Sequence, residues 1–126
     1  MPLVKKLLIK PGYRMTIVNA PKDFIFPTEE LPDDIEIVND LEGSFDFVLI
    51  FAHSQAELGT YAVPVVSHLK EDALFWVAYP KKTSKIKSDI SRDHGWELLQ
   101  DAGYQGVSLI SLDDTWSAFR LRKRDR

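Results

Sequence analysis

The sequence has 126 residues, 44% hydrophobic and 28% charged, with a net charge of −3, the composition of an ordinary globular domain with one core. It contains no cysteine, which excludes a disulfide framework, a thiolate nucleophile and a cysteine-held zinc or iron–sulfur cluster. No apolar run approaches the roughly 20 residues of a membrane span, and residues 1–8 lack the apolar core of a secretory signal, so a cytoplasmic address without a membrane partner is expected.

Residues 3–9 are amphipathic but short, and Lys10-Pro11-Gly12 ends them before the β-branched run Met15-Thr16-Ile17-Val18, which suits a first, buried strand. Pro21, Pro27 and Pro32 rule out a continuous helix in the next connection. Ile35-Glu36-Ile37-Val38 is a second short strand, and the nearly unbroken apolar run over residues 45–52 is a third, central strand covered on both faces. Leu58, Ala62, Val65, Val66 and Leu69 then recur at helical spacing over residues 55–70, with Pro64 as a kink or restart. Residues 73–79 are again apolar. An amphipathic helix is expected over residues 89–102, with Ile90, Trp96 and Leu99 inward and Gly103 as its stop. Two last strands, 107–112 and 116–121, flank Asp113-Asp114 and read as a hairpin.

This alternation predicts a single α/β domain over residues 1–126: a three-layer, Rossmann-like, mostly parallel sheet closed by a C-terminal antiparallel hairpin. The closing hairpin, together with the stretch Leu69-Lys70-Glu71-Asp72-Ala73-Leu74-Phe75-Trp76-Val77, resembles the layout of class I methyltransferases in a truncated form. Shorter stretches, Lys10-Pro11-Gly12-Tyr13-Arg14, Asn19-Ala20-Pro21, Tyr79-Pro80-Lys81-Lys82, Arg92-Asp93 and Thr115-Trp116-Ser117, resemble an uncharacterised bacterial family of domains of unknown function. That second resemblance implies the fold and leaves the activity open.

Open α/β folds place their ligands at the carboxyl ends of the strands, so the loops there hold the candidates. Asn19 opens the loop after the first strand, which lacks the glycine a cofactor-cradling turn needs and contains Pro21, with no N–H to donate. Ordinary S-adenosylmethionine binding is therefore not expected, and no cofactor is assigned. Asp40 comes after the second strand, where an acidic residue would hold a ribose, although it sits among nine acidic residues between Asp23 and Asp46 that read as a solvated face. His53 and Ser54 come after the third strand. The histidine is a candidate general base without an Asp or Glu orienter at an identifiable spacing, and Ser54 reads as a helix cap. Beyond the fourth parallel strand, Lys81, Lys82 and Ser84 form a candidate anion site ahead of a helix N-terminus. His68 and His94 have no partner at metal-ligand spacing, so no metal is expected.

These residues admit three functions. The first is a non-catalytic or regulatory binding domain of degenerate methyltransferase-like fold that takes a small anionic ligand. The second is an enzyme acting on an anionic small molecule, with His53 as base and Lys81 and Lys82 as clamp. The third is a partner-binding module using the basic C-terminal residues 120–126, with nucleic acid disfavoured by the net acidity.

Overall fold

A computed structural model describes residues 3–22, 24–82, 88–91 and 95–123. The β-branched and aromatic runs form six strands: β1 (Arg14–Val18), β2 (Glu36–Ile37), β3 (Phe45–Phe51), β4 (Leu69–Pro80), β5 (Tyr104–Ser111) and β6 (Trp116–Lys123). They make one sheet in the order β2-β1-β3-β4-β6-β5. β2, β1, β3 and β4 pair in parallel, and β6 runs antiparallel to both β4 and β5. The sheet is thus Rossmann-like and mostly parallel, with a C-terminal antiparallel hairpin. The chain steps from β1 outward to β2 and then returns to the other side of β1 as β3. That reversal makes the carboxyl ends of β1 and β3 the topological switch point, where this architecture opens a crevice.

Side-chain alternation divides the core in two. Val48, Ile50, Phe75, Val77 and Leu121 face α2 (Gln55–Val65) and α3 (Glu97–Asp101). Phe47, Leu49, Phe51, Trp76 and Ala118 face the opposite layer. That layer consists of α1 (Leu3–Lys6) and of Phe24, Phe26, Leu31 and Ile35 from the connection after β1. β3 and β4 are buried on both faces, which is why they read as unbroken apolar runs rather than alternating ones. Burial of each such side chain stabilises the fold by about 1.5–3 kcal/mol. Trp76 also satisfies its indole, donating from Nε1 to the Leu7 carbonyl oxygen at 3.1 Å and fixing α1 to the sheet.

Three expected elements are shorter or longer in the structure. α2 ends at Val65, one residue after Pro64, and a 3₁₀ turn (Val66–His68) leads straight into β4, so Leu69 and Lys70 are strand rather than helix. Of the helix expected over 89–102, the described residues keep Glu97–Asp101. Gly95, at φ +103°, holds a backbone conformation that an α-helix cannot contain. Ile90, Trp96 and Leu99 are nevertheless buried as the pattern implied. Gly103 does stop α3, at φ +93°. The hairpin is longer than expected, because β5 begins at Tyr104 and β6 continues to Lys123, which takes Arg122 and Lys123 into the sheet as well. Arg92, Asp93 and His94 lie outside the described residues. Among the described residues no helix is long and apolar enough to cross a membrane.

Candidate functional site

β1 ends at Val18, and Asn19 turns the chain with φ +59°, a left-handed conformation that asparagine tolerates better than most side chains. The turn therefore forms without glycine. Among the described residues no α-helix succeeds it: the segment 20–35 holds a 3₁₀ turn (Thr28–Glu30), and Phe24 packs its ring on Phe51 at 4.8 Å between centroids. The free N–H groups that a helix start after β1 would aim at a ligand are not supplied by the described residues of that segment.

Instead, a side chain from α2 reaches the switch point. Ser54 caps α2, its Oγ accepting from the Glu57 backbone N–H at 3.2 Å. The Glu57 side chain reaches back in turn, and its Oε1 accepts from the His53 backbone N–H at 2.7 Å. The motif is a capping box shifted by one residue at its return bond. The same Oε1 lies 2.9 Å from His53 Nδ1 and 3.4 Å from Asn19 Nδ2. Asn19 Nδ2 also donates to the Phe51 carbonyl oxygen at 2.9 Å, tying the end of β1 to the end of β3. Partial burial acts to raise the Glu57 pKa, but the hydrogen bonds from His53 and Asn19 and the nearby His53 charge outweigh it, and the carboxyl is held below its ordinary value.

Three of the expected site residues, Asn19, His53 and Ser54, are thus brought together around Glu57, a residue that sequence reasoning missed. The expectation that His53 has no carboxylate orienter is corrected: Glu57, four residues on, contacts its ring. The signal was present as Ser54-Gln55-Ala56-Glu57, the S-x-x-E pattern of a capping box. The other wall is Trp116 from the start of β6, whose buried indole meets the rings of His53 and Phe51 edge-on, each at 5.0 Å.

The remaining candidates are placed differently. Lys81 continues beyond β4, its backbone N–H donating to the Thr115 carbonyl oxygen and its Nζ to Ser111 Oγ at 2.7 Å, so its ammonium is drawn to the hairpin. Lys6 Nζ donates to the Ser111 carbonyl oxygen from the other side. Lys82 is exposed. Ser84 lies outside the described residues, and Ser88 uses its Oγ to accept from the Ile90 N–H. Asp40 is exposed beyond β2, the strand outside β1 in the sheet. His68 contacts the Gly43 carbonyl oxygen through Nδ1 at 2.7 Å. Among the described residues no group of three or more His, Cys, Asp or Glu is arranged to hold a metal ion.

Comparison with solved structures gives the fold a name. A ribosomal protein L11 methylase from Lactobacillus delbrueckii subsp. bulgaricus superposes with a TM-score of 0.60 at 13% identity, over 96% of this chain and 74% of that one. The fold is methyltransferase-like. A SAM-dependent methyltransferase from Aquifex aeolicus gives 0.58 at 14% identity, over 94% of this chain and 87% of that one. The mitomycin 7-O-methyltransferase MmcR gives 0.63 at 9% identity, over 89% of this chain and 49% of that one, so this chain spans about half its length. At these identities the likeness is one of fold. No family model and no curated protein matches the sequence.

Proposed function

We propose that this chain is a binding domain on a methyltransferase-like frame that does not itself transfer methyl groups. The observation that carries this reading is the Glu57 carboxylate, fastened at the switch point by the His53 N–H and approached by the Asn19 amide. In a cofactor-binding α/β fold that position is held by a turn and a helix start whose N–H groups meet the anionic part of the ligand. Here a resident carboxylate engages the His53 N–H and the Asn19 amide, so these donors are not offered to the carboxylate of an S-adenosyl compound. A small anionic ligand is better placed one strand further on, beyond the end of β4, where Lys82 is exposed.

A ligand that binds only the folded chain raises its melting temperature, so S-adenosyl compounds, phosphosugars and dicarboxylates are to be compared by thermal shift, with Lys82→Ala as companion. A shift with S-adenosylmethionine or S-adenosylhomocysteine that exceeds the others would overturn the reading. A shift with an anion that is lost in Lys82→Ala would support it.

One observation favours a second reading. His53 Nδ1 lies 2.9 Å from Glu57 Oε1, and the His53 side chain is 40% exposed. A carboxylate on Nδ1 of a partly exposed imidazole is the arrangement of an oriented general base. Turnover of any screened ligand that disappears in His53→Asn would establish this reading over the first.

A further inference from the structure

At the opposite, amino edge of the sheet, β4 and β6 come apart. Their ladder runs from Pro80↔Trp116 to Phe75↔Leu121 and ends there, whereas the β5–β6 ladder continues to Tyr104↔Lys123. On its other side β4 pairs Leu69 with Phe45 and Leu74 with Phe47, so residues 70–73 bulge out of register. The two departures open a fork with a cavity of about 260 Å³. Leu74, Leu121 and the largely buried Tyr104 are among its apolar lining residues. Lys70, Arg120, Arg122 and Lys123 line it, with Glu71 as a carboxylate among them.

We propose that this fork is a binding site for a phosphoryl group, separate from the switch point and independent of the function assigned there. Four cationic side chains line it beside one carboxylate, Glu71, in a chain whose net charge is −3, so positive charge is in local excess even with Lys70 paired to Asp46. Two of them are held in place by neighbours: Lys70 Nζ sits 3.2 Å from Asp46 Oδ2, and Arg120 Nε donates to Ser108 Oγ at 3.3 Å. Among the described residues the printed bond of Arg120 is made by Nε, and the planar donor set of a guanidinium matches phosphate oxygens two at a time. Arg122 and Lys123 are exposed at the rim, as residues that meet an arriving anion must be. The volume is below the roughly 300–1,000 Å³ of pockets that enclose a drug-sized ligand, so the fork takes a phosphoryl group with the remainder of its molecule outside. Its source is either a small phosphoester or the phosphodiester of an oligonucleotide.

The full chain is to be titrated at low salt with inorganic diphosphate while backbone amide resonances are monitored. Saturable shifts confined to Ala73, Leu74 and the residues of β6 from Arg120 onward are expected. Reversing both rim charges, Arg122→Glu with Lys123→Glu, should weaken binding at least tenfold, and so should the milder pair Arg122→Gln with Lys123→Gln should the first fail to fold. Lys22→Glu, away from the fork, should leave affinity within twofold. Loss of binding in Lys82→Glu but not in the rim pair would refute the fork and leave the switch-edge reading standing. Unsaturable shifts spread over all the lysines would refute it as well. With the site established, affinity that rises with length among single-stranded oligoribonucleotides identifies a phosphodiester, and affinity independent of length a small phosphoester.

Discussion

The Glu57 carboxylate contacts the His53 ring at 2.9 Å while accepting the His53 backbone N–H at 2.7 Å, so one oxygen joins the first turn of α2 to the loop that precedes it. Partial burial opposes the charge on Glu57, yet the bonds from His53 and Asn19 prevail and its pKa lies below the ordinary 4.5. A depressed carboxylate pKa contributes stability that is fully present above the unfolded value and is lost as pH falls through the folded one. Glu57→Gln should therefore destabilise the protein at neutral pH, and the difference from wild type should shrink on acidification below about pH 4.5. Denaturant melts of both proteins across that range test this, and a difference that grows or stays constant would contradict it.

The cap on the same turn can be probed separately. Ser54→Ala removes the hydroxyl that accepts the Glu57 N–H and should cost about 0.5–2 kcal/mol. Ser54→Asp, which keeps an acceptor in place, should restore most of that loss, as read from urea midpoints. Equal destabilisation by both variants would show that the cap is not the cause.

Phe119 lies directly over Gly106. A Cβ at Gly106 would overlap the Phe119 ring, and that ring is backed by Trp96 at 4.8 Å, which in turn meets Tyr79. Gly106→Ala is accordingly an overpacking change of about 1–3 kcal/mol, even though residue 106 is exposed. Adding Phe119→Leu should relieve part of it, with a coupling of at least about 0.5 kcal/mol in a double-mutant cycle. Simple additivity would mean that the ring does not constrain that position.

Trp116, 4% exposed, packs edge-on against His53 and Phe51 from the start of the last strand. Trp116→Ala should cost about 3–5 kcal/mol in melting experiments, and Trp116→Phe considerably less. A loss under about 1 kcal/mol for the alanine variant would place the indole outside the core.

Much of the fold was legible because its central strands are buried on both faces. The runs 45–52 and 73–79 admit little besides strand, and the turn chemistry of Asp113 announces the hairpin. Its Oδ1 does accept from the N–H groups of both Thr115 and Trp116 at 2.8 Å. The boundaries were less legible where tertiary context decides. Leu69 belongs to β4 through its pairing with Phe45, a contact 24 residues apart that helical spacing cannot reveal. Burial of Ile90, Trp96 and Leu99 was read correctly, but Gly95 spoils the helix that their spacing implied. At the site, Ser54 is legible as a cap, and Glu57 is tied to it by the capping-box spacing, but that spacing does not show that the same carboxylate also meets the His53 ring. The fork between β4 and β6 had no local signal, since it depends on where one ladder stops and the next continues.

Isothermal titration of the full chain with S-adenosylmethionine, and with S-adenosylhomocysteine, tests most directly whether Glu57 and its partners occupy the position from which a methyltransferase would hold its cofactor. With that position filled by a resident carboxylate, the expected result is no saturable binding, or dissociation constants on the order of 1 mM, equivalent to about −4 kcal/mol. Low-micromolar binding that is weakened tenfold or more by Asn19→Ala would contradict it, and would make this crevice a working cofactor site.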